Sequence, residues 1–168
     1  MNLAIALTGC VGMAVAAATI HHESLEFVAR AFLARVASRP RRWHVGATMA
    51  MLLVAHVIEV VAYGAGMCMI ARSTASVGLA GGAPGESLDS LATWIYFSFS
   101  CYTSLGIGDL RPVGGVRLFA GTEALVGLLL IGWTASFILL EMRRLWPLDD
   151  HRARAADRAG RAGTRRRP

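Results

Sequence analysis

The sequence predicts an all-α membrane protein with three transmembrane helices and a shorter re-entrant segment between the second and third. Three observations predict it. Of the 168 residues, 55% are hydrophobic and only 17% are charged, against roughly 25% charged in an ordinary soluble domain. The apolar residues gather in three runs that reach the length of a bilayer span, about 18–20 residues. The 17 basic residues, all Arg, lie between and beyond those runs and never inside them. The composition excludes a disordered chain and argues against a soluble enzyme. The length leaves room for one compact domain at most. A net charge of +6 could point to nucleic acid. Arg residues flanking apolar runs fit membrane orientation better, so no nucleic-acid partner is expected. Cys10, Cys68 and Cys101 have no paired spacing and sit in apolar segments, so neither a disulfide framework nor a zinc site is read.

Residues 1–20 form the N-terminal transmembrane helix, because Leu3 to Ile20 is an uncharged run of 18 residues. It reads as a span, with a cleaved signal peptide as the alternative. Ala16-Ala17-Ala18 offers small residues, but no basic region precedes them, and cleavage would leave a five-Arg segment outside. Residues 21–42 are read as a cytoplasmic amphipathic segment. Leu25, Val28, Phe32 and Val36 fall near helical spacing, with Glu26, Arg30 and Arg35 on other faces. It either lies along the inner membrane surface or extends the first helix. Val45 to Ile70 is the second span, interrupted only by His56 and Glu59. Arg72 to Ser90, rich in Gly, Ser and Ala, is expected to be a flexible outer loop. Leu91 to Leu105 is too short to span and ends in a Gly-rich turn, as a re-entrant segment does. Leu118 to Leu140, interrupted by Glu123, is the third span. Residues 147–168 form a basic cytoplasmic tail without large apolar residues from His151 onward, expected to be disordered.

Arg counts set the orientation. Arg30, Arg35, Arg39, Arg41 and Arg42 follow the first run, and Arg143, Arg144 and seven more follow the third. Between the second and third lie only Arg72, Arg111 and Arg117, against Glu86, Asp89 and Asp109. The positive-inside rule then places the N-terminus outside and lets the re-entrant segment enter from outside.

The chemistry concentrates in Tyr96-Phe97-Ser98-Phe99-Ser100-Cys101-Tyr102-Thr103-Ser104-Leu105-Gly106-Ile107-Gly108-Asp109-Leu110-Arg111-Pro112. Two Gly at alternate positions open backbone conformations closed to other residues. Successive carbonyls can then face one axis, and a ring of carbonyls can replace the water shell of a cation. The Ser104 hydroxyl adds an oxygen at the inner mouth. Asp109 can anchor the loop or attract cations. A short helix whose C-terminal end points at the axis adds a field favourable to a cation.

This segment resembles the selectivity filter of potassium channels, whose signature is Thr-Val-Gly-Tyr-Gly-Asp. Ser104 falls on the Thr, Leu105 on the Val, Gly106 and Gly108 on the two Gly, Ile107 on the Tyr and Asp109 on the Asp. Thr103 matches a further Thr that often precedes the signature. The resemblance covers residues 43–146, the two helices and pore loop of the minimal bacterial pore module, to which the first helix is an addition. It implies ion-binding positions at Thr103, Ser104, Leu105, Gly106, Ile107 and Gly108, with support or an outer mouth from Ser100, Asp109 and Glu123. Gly127, ten residues after Arg117, falls where the inner helix of such channels has its hinge. Ser104 keeps the hydroxyl and drops a methyl. Ile107 loses the aromatic that in the family packs behind the filter and hydrogen-bonds the pore helix. Its filter is therefore expected to rely on packing against Phe97 and Tyr102.

One chain supplies one filter loop, and a carbonyl ring of this type takes four, so a homotetramer with the last helix lining the inner pore is expected. The expected function is passive conduction of potassium. The rivals are a weakly selective cation channel that also passes sodium, and a non-conducting membrane subunit that keeps the pore fold. No catalysis, no cofactor and no metal beyond permeant monovalent cations are expected. The partners are the lipid bilayer and copies of the same chain. The place is the plasma membrane, of a bacterial cell by the Arg-for-Lys bias and the lack of organelle signals.

Ionisable residues inside spans are costly and mark candidate sites. Glu123 reads as a support behind the pore helix or a charge near the pore. His56 and Glu59, spaced i, i+3, read as a buried hydrogen bond between helices, since two ligands make a poor metal site. His21-His22-Glu23 reads as a solvated helix end. Trp43, Trp94 and Trp146 read as interfacial anchors, and Trp133 as packing.

Overall fold

The computed structural model describes residues 2–32, 41–74 and 77–145. Trp146, Arg35, Val36, Arg39 and the tail 147–168 lie outside the described residues. The chain divides into a main unit, Met1–Thr134, and a second unit, Ala135–Pro168, whose described part is the helical stretch up to Leu145. Three helices are long and apolar enough to cross a membrane.

Helix α1 (Leu3–Phe27) starts at Asn2, whose side chain accepts the Ala4 N–H at 3.3 Å. Its buried residues are Ala6, Cys10, Ala17, His21 and Leu25, a single stripe at multiples of about 3.6 residues. Small side chains dominate that stripe and let neighbouring helices come close. The opposite face, with Leu3, Ile5, Val11 and Val15, is exposed apolar surface that a bilayer would cover. The helix does not stop at Ile20. It runs on through Phe27 and a π-helical turn, Val28–Phe32. Of the two readings open for the segment after Ile20, continuation of the first helix holds that far.

Helix α2 (Arg41–Ser73) buries Thr48, Leu52, Ala55, Glu59, Val60, Tyr63, Met67 and Cys68 along one side. Part of the segment expected to be a flexible outer loop is a strand. Strand β1 (Gly78–Gly81) pairs antiparallel with β2 (Leu110–Val113), Gly78 opposite Val113 and Gly81 opposite Leu110. Flanking Gly and Ala hid this ribbon, because β-pairing here rests on backbone bonds and not on an alternating apolar pattern.

Helix α3 (Leu91–Tyr102) is too short to span. Ser90 caps it, accepting the Thr93 N–H at 3.1 Å. Its inner face carries Thr93, Trp94, Phe97, Ser98 and Tyr102. It crosses α2 at Gly64, where an added Cβ would lie 2.9 Å from the Ile95 Cα. Trp94 is 1% exposed and packs edge-on against Phe97, so it is a core residue and not an interfacial anchor. A twelve-residue helix held against α2 turns its bulkiest side chain inward. Trp43 is 64% exposed.

Helix α4 (Val116–Leu145) buries Val116, Phe119, Ala120, Glu123, Gly127, Leu130 and Thr134, a stripe in steps of three and four with Phe119 and Ala120 adjacent. The main core joins Ala6 and Cys10 of α1 to Met67, Cys68, Trp94, Phe97, Leu110 and Phe119. The N-terminal helix is thus built into the core of the main unit. Cys10 and Cys68 are buried free thiols and Cys101 is half-buried.

Candidate functional site

Helix α3 ends where Ser104 takes a positive φ, just past a Thr103 that is still right-handed. The Thr103 N–H and hydroxyl both donate to the Phe99 carbonyl, at 3.2 and 2.7 Å. The Ser104 N–H closes on the Cys101 carbonyl at 2.9 Å. From there φ is +55° at Ser104, +58° at Gly106 and +88° at Gly108, with no positive φ at Leu105 or Ile107. The two glycines adopt this region freely, whereas Ser104 does so at a cost of about 1–2 kcal/mol. Such alternation turns successive peptide planes the same way.

Two hydrogen bonds fix the direction. The Gly106 N–H donates to the Ser100 carbonyl at 3.3 Å, and the Ile107 N–H to the Ser100 Oγ at 3.2 Å. In a trans peptide the carbonyl points opposite to its N–H, and no peptide bond here is cis. The carbonyls of Leu105 and Gly106 therefore face away from α3. Residues Thr103 to Asp109 are all exposed on this face of the chain. Chemically, such a row of outward oxygens can take the place of cation hydration.

Asp109 ties down the outer end. Its carboxylate accepts the Tyr96 hydroxyl at 2.8 Å and the Leu110 N–H at 2.9 Å, and its carbonyl accepts the Gly82 N–H at 2.9 Å. That carboxylate holds the Tyr96 phenol above its ordinary pKa. Ile107 is 54% exposed, Phe97 lies in the core, and Tyr102 turns inward to Glu59. The loop is held to α3 by hydrogen bonds through Ser100 and Tyr96.

Behind α3 lies Glu123, 0% exposed. Ser98 Oγ bonds both the Val60 carbonyl, at 2.8 Å, and Glu123 Oε1. A carbonyl can only accept and a serine has one hydrogen. The pair is complete when Ser98 donates to Val60 and a protonated Glu123 donates to Ser98. Gly127 lies inside an unbroken helix, where its missing side chain admits the Tyr102 carbonyl.

Deeper still, α1 enters the site. His21, 0% exposed, bonds Glu59 Oε1 through Nδ1 at 2.8 Å. Tyr102 donates its hydroxyl to Glu59 Oε2. His56 Nδ1 lies 3.2 Å from that same oxygen and 2.8 Å from the Tyr102 hydroxyl. Thr134 Oγ1 stands between the two imidazoles, 3.0 Å from His56 Nε2 and 3.2 Å from His21 Nε2. His22 stacks on Trp133 with centroids 6.2 Å apart. His21 thus belongs to a buried cluster and not to a solvated helix end. Two groups among the described residues bring three possible metal ligands close together, His21–His56–Glu59 and the outer His22–Glu23–Glu26. In the first, each ligand nitrogen and oxygen already has a hydrogen-bond partner.

The parts of the cluster from α1, α3 and α4 were missed by the sequence reading. One signal was available: His21 continues the stripe of Ala6, Cys10 and Ala17 at helical spacing, so it had to face inward if the helix continued.

A family model described as an ion channel matches residues 50–144, more than half of the chain and all of α3, the loop and nearly all of α4. No curated protein and no solved structure matches the chain. Three apolar helices, a re-entrant fourth and an outward carbonyl row agree with that match, and the chain belongs to this ion-channel family.

Proposed function

We propose that the chain assembles as a homotetramer and conducts potassium passively through a pore lined by residues 103–108. The observation that carries this reading is the anchoring of the Gly106 and Ile107 N–H groups on Ser100, which frees the opposite carbonyls. Four copies around an axis would close those oxygens into a ring that replaces the ion's water. The Ser104 hydroxyl would supply the innermost oxygen. The C-terminal end of α3 would lend its partial negative charge to the ion's approach. Gly127 would let α4 line the inner pore. The Arg distribution supports an outside N-terminus and a multi-pass place in a bacterial plasma membrane. No covalent step and no cofactor are involved, and the permeant ion is the only ligand.

A second reading, a cation channel that also passes sodium, is favoured by the exposure of Ile107. No side-chain hydrogen bond from position 107 stiffens the ring. Purified protein in liposomes loaded with potassium tests the proposal. Potassium efflux that requires the protein, with slower sodium efflux, is expected. No efflux of either ion would leave a non-conducting subunit of the same fold.

A further inference from the structure

We infer that His21, His56 and Glu59 form a one-proton binding site that clamps the N-terminal helix onto the pore helix and the inner helix. The argument is a count of hydrogens. Glu59 lies against three donors: His21 Nδ1, the Tyr102 hydroxyl and His56 Nδ1. With Glu59 ionised and the Tyr102 hydrogen given to Glu59 Oε2, Tyr102 has none left for His56, and both Nδ1 atoms carry hydrogen. In neutral imidazoles both Nε2 atoms are then bare acceptors. Both face the same hydroxyl, Thr134 Oγ1, at 3.0 and 3.2 Å. One hydroxyl has one hydrogen, so one buried acceptor goes unmet, at a cost of about one lost hydrogen bond.

Adding one proton completes the set. One Nε2–H donates to Thr134, whose own hydrogen goes to the other Nε2. The total is the same if the added proton sits on the Glu59 carboxyl and the His21 tautomer reverses. The cluster then has no net charge, which suits its burial. A second proton would leave a net positive charge in a buried site, and the Thr134 hydrogen would then face no bare imidazole nitrogen.

The groups that face the pair come from every helix of the main unit. They are His22 on α1, Tyr63 on α2, Tyr102 on α3, and Thr134 and Trp133 on α4, with Glu123 on the α4 face beyond Tyr63. Among the described residues, no Arg acts on Glu59. The mechanical link is short. Tyr102 is the last residue of α3 and directly precedes Thr103, and its carbonyl seats on Gly127 of α4. Thr134 lies on α4, two turns beyond Gly127. Losing the proton leaves one imidazole without its bond to Thr134 and so weakens the brace that α1 shares with the pore loop and the inner helix. That link to conduction rests on the channel reading; the proton count does not.

The test is nitrogen NMR on the full chain in liposomes with labelled histidine. The five histidines are assigned by replacing them singly with Asn. At neutral pH, His21 and His56 together should carry one proton beyond two neutral imidazoles with an ionised Glu59. Thr134→Val should abolish that extra proton, and Thr134→Ser should retain it. Two ordinary neutral imidazoles in the unmodified chain would overturn the proposal. So would spectra unchanged in Thr134→Val, or equimolar zinc displacing the shared proton and binding the triad. Ion flux followed across the same pH range should change at least about fivefold at the NMR transition. Flux in the unmodified chain with no step there would overturn the link to the pore. Absence of flux at every pH would instead count against the channel reading and leave the proton count standing.

Discussion

Replacing Gly127 by Ala should destabilise the protein by about 2 kcal/mol. A Cβ at this position would fall 3.0 Å from the Tyr102 carbonyl carbon and 3.1 Å from its Cγ, and nearer still to the carbonyl oxygen. Carbon atoms rest at about 3.5–4.0 Å from one another, and the carbonyl oxygen is closer than either carbon, so α4 or the end of α3 must move by roughly an ångström. Overfilling a packed site costs about 1–3 kcal/mol. The obstacle here is backbone, which cannot rotate aside, so the upper end applies. Against that, Ala favours a helix over Gly by about 1 kcal/mol. The difference is about 2 kcal/mol, or about 4–8 °C in melting temperature for a chain of this length. Gly46 on α2 is the control, because nothing lies within 4 Å of an added Cβ there. Gly46→Ala should match or exceed the unmodified protein. Thermal unfolding in detergent, followed by tryptophan fluorescence, reads both. A Gly127→Ala protein as stable as the control would refute the packing argument and leave a hinge as the reason for this glycine.

Gly108→Ala should abolish ion flux while the protein still inserts, since φ of +88° opposes any side chain; normal currents would remove position 108 from the ion path. Tyr96→Phe deletes the 2.8 Å bond to Asp109 and should lower the potassium-to-sodium preference, read as competing efflux rates; an unchanged ratio would mean that Asp109 is held by its backbone alone. Ala83→Cys in the outer loop should react with an impermeant thiol reagent in intact cells, because the Arg distribution places that loop outside. Reaction only after permeabilisation would invert the topology.

The spans, the re-entrant helix and the pore loop were legible because each follows from a local rule. Apolar run length marks a span, and alternate glycines mark a backbone of unusual φ. The pairing of β1 with β2 was not legible, since its residues carry no alternating pattern. Nor was the burial of Trp94, which depends on how closely α2 passes at Gly64. The cluster at Glu59 shows the deeper limit. Its members come from positions 21, 56, 59, 102 and 134, and only the pair within α2 is visible as a spacing. Ile107 shows the converse. The family resemblance pointed to a side chain packed behind the loop, whereas Ser100 and Tyr96 do the holding, through bonds that no motif records.

The central claim is that residues 103–108 of four chains form a potassium-preferring path. The reversal potential of the purified protein in a planar bilayer, with potassium on one side and equimolar sodium on the other, tests it most directly. Each tenfold preference moves that potential by about 59 mV. A current reversing at least about 59 mV toward the potassium equilibrium is expected. A current reversing near zero would contradict potassium preference, and no current at all would contradict the pore.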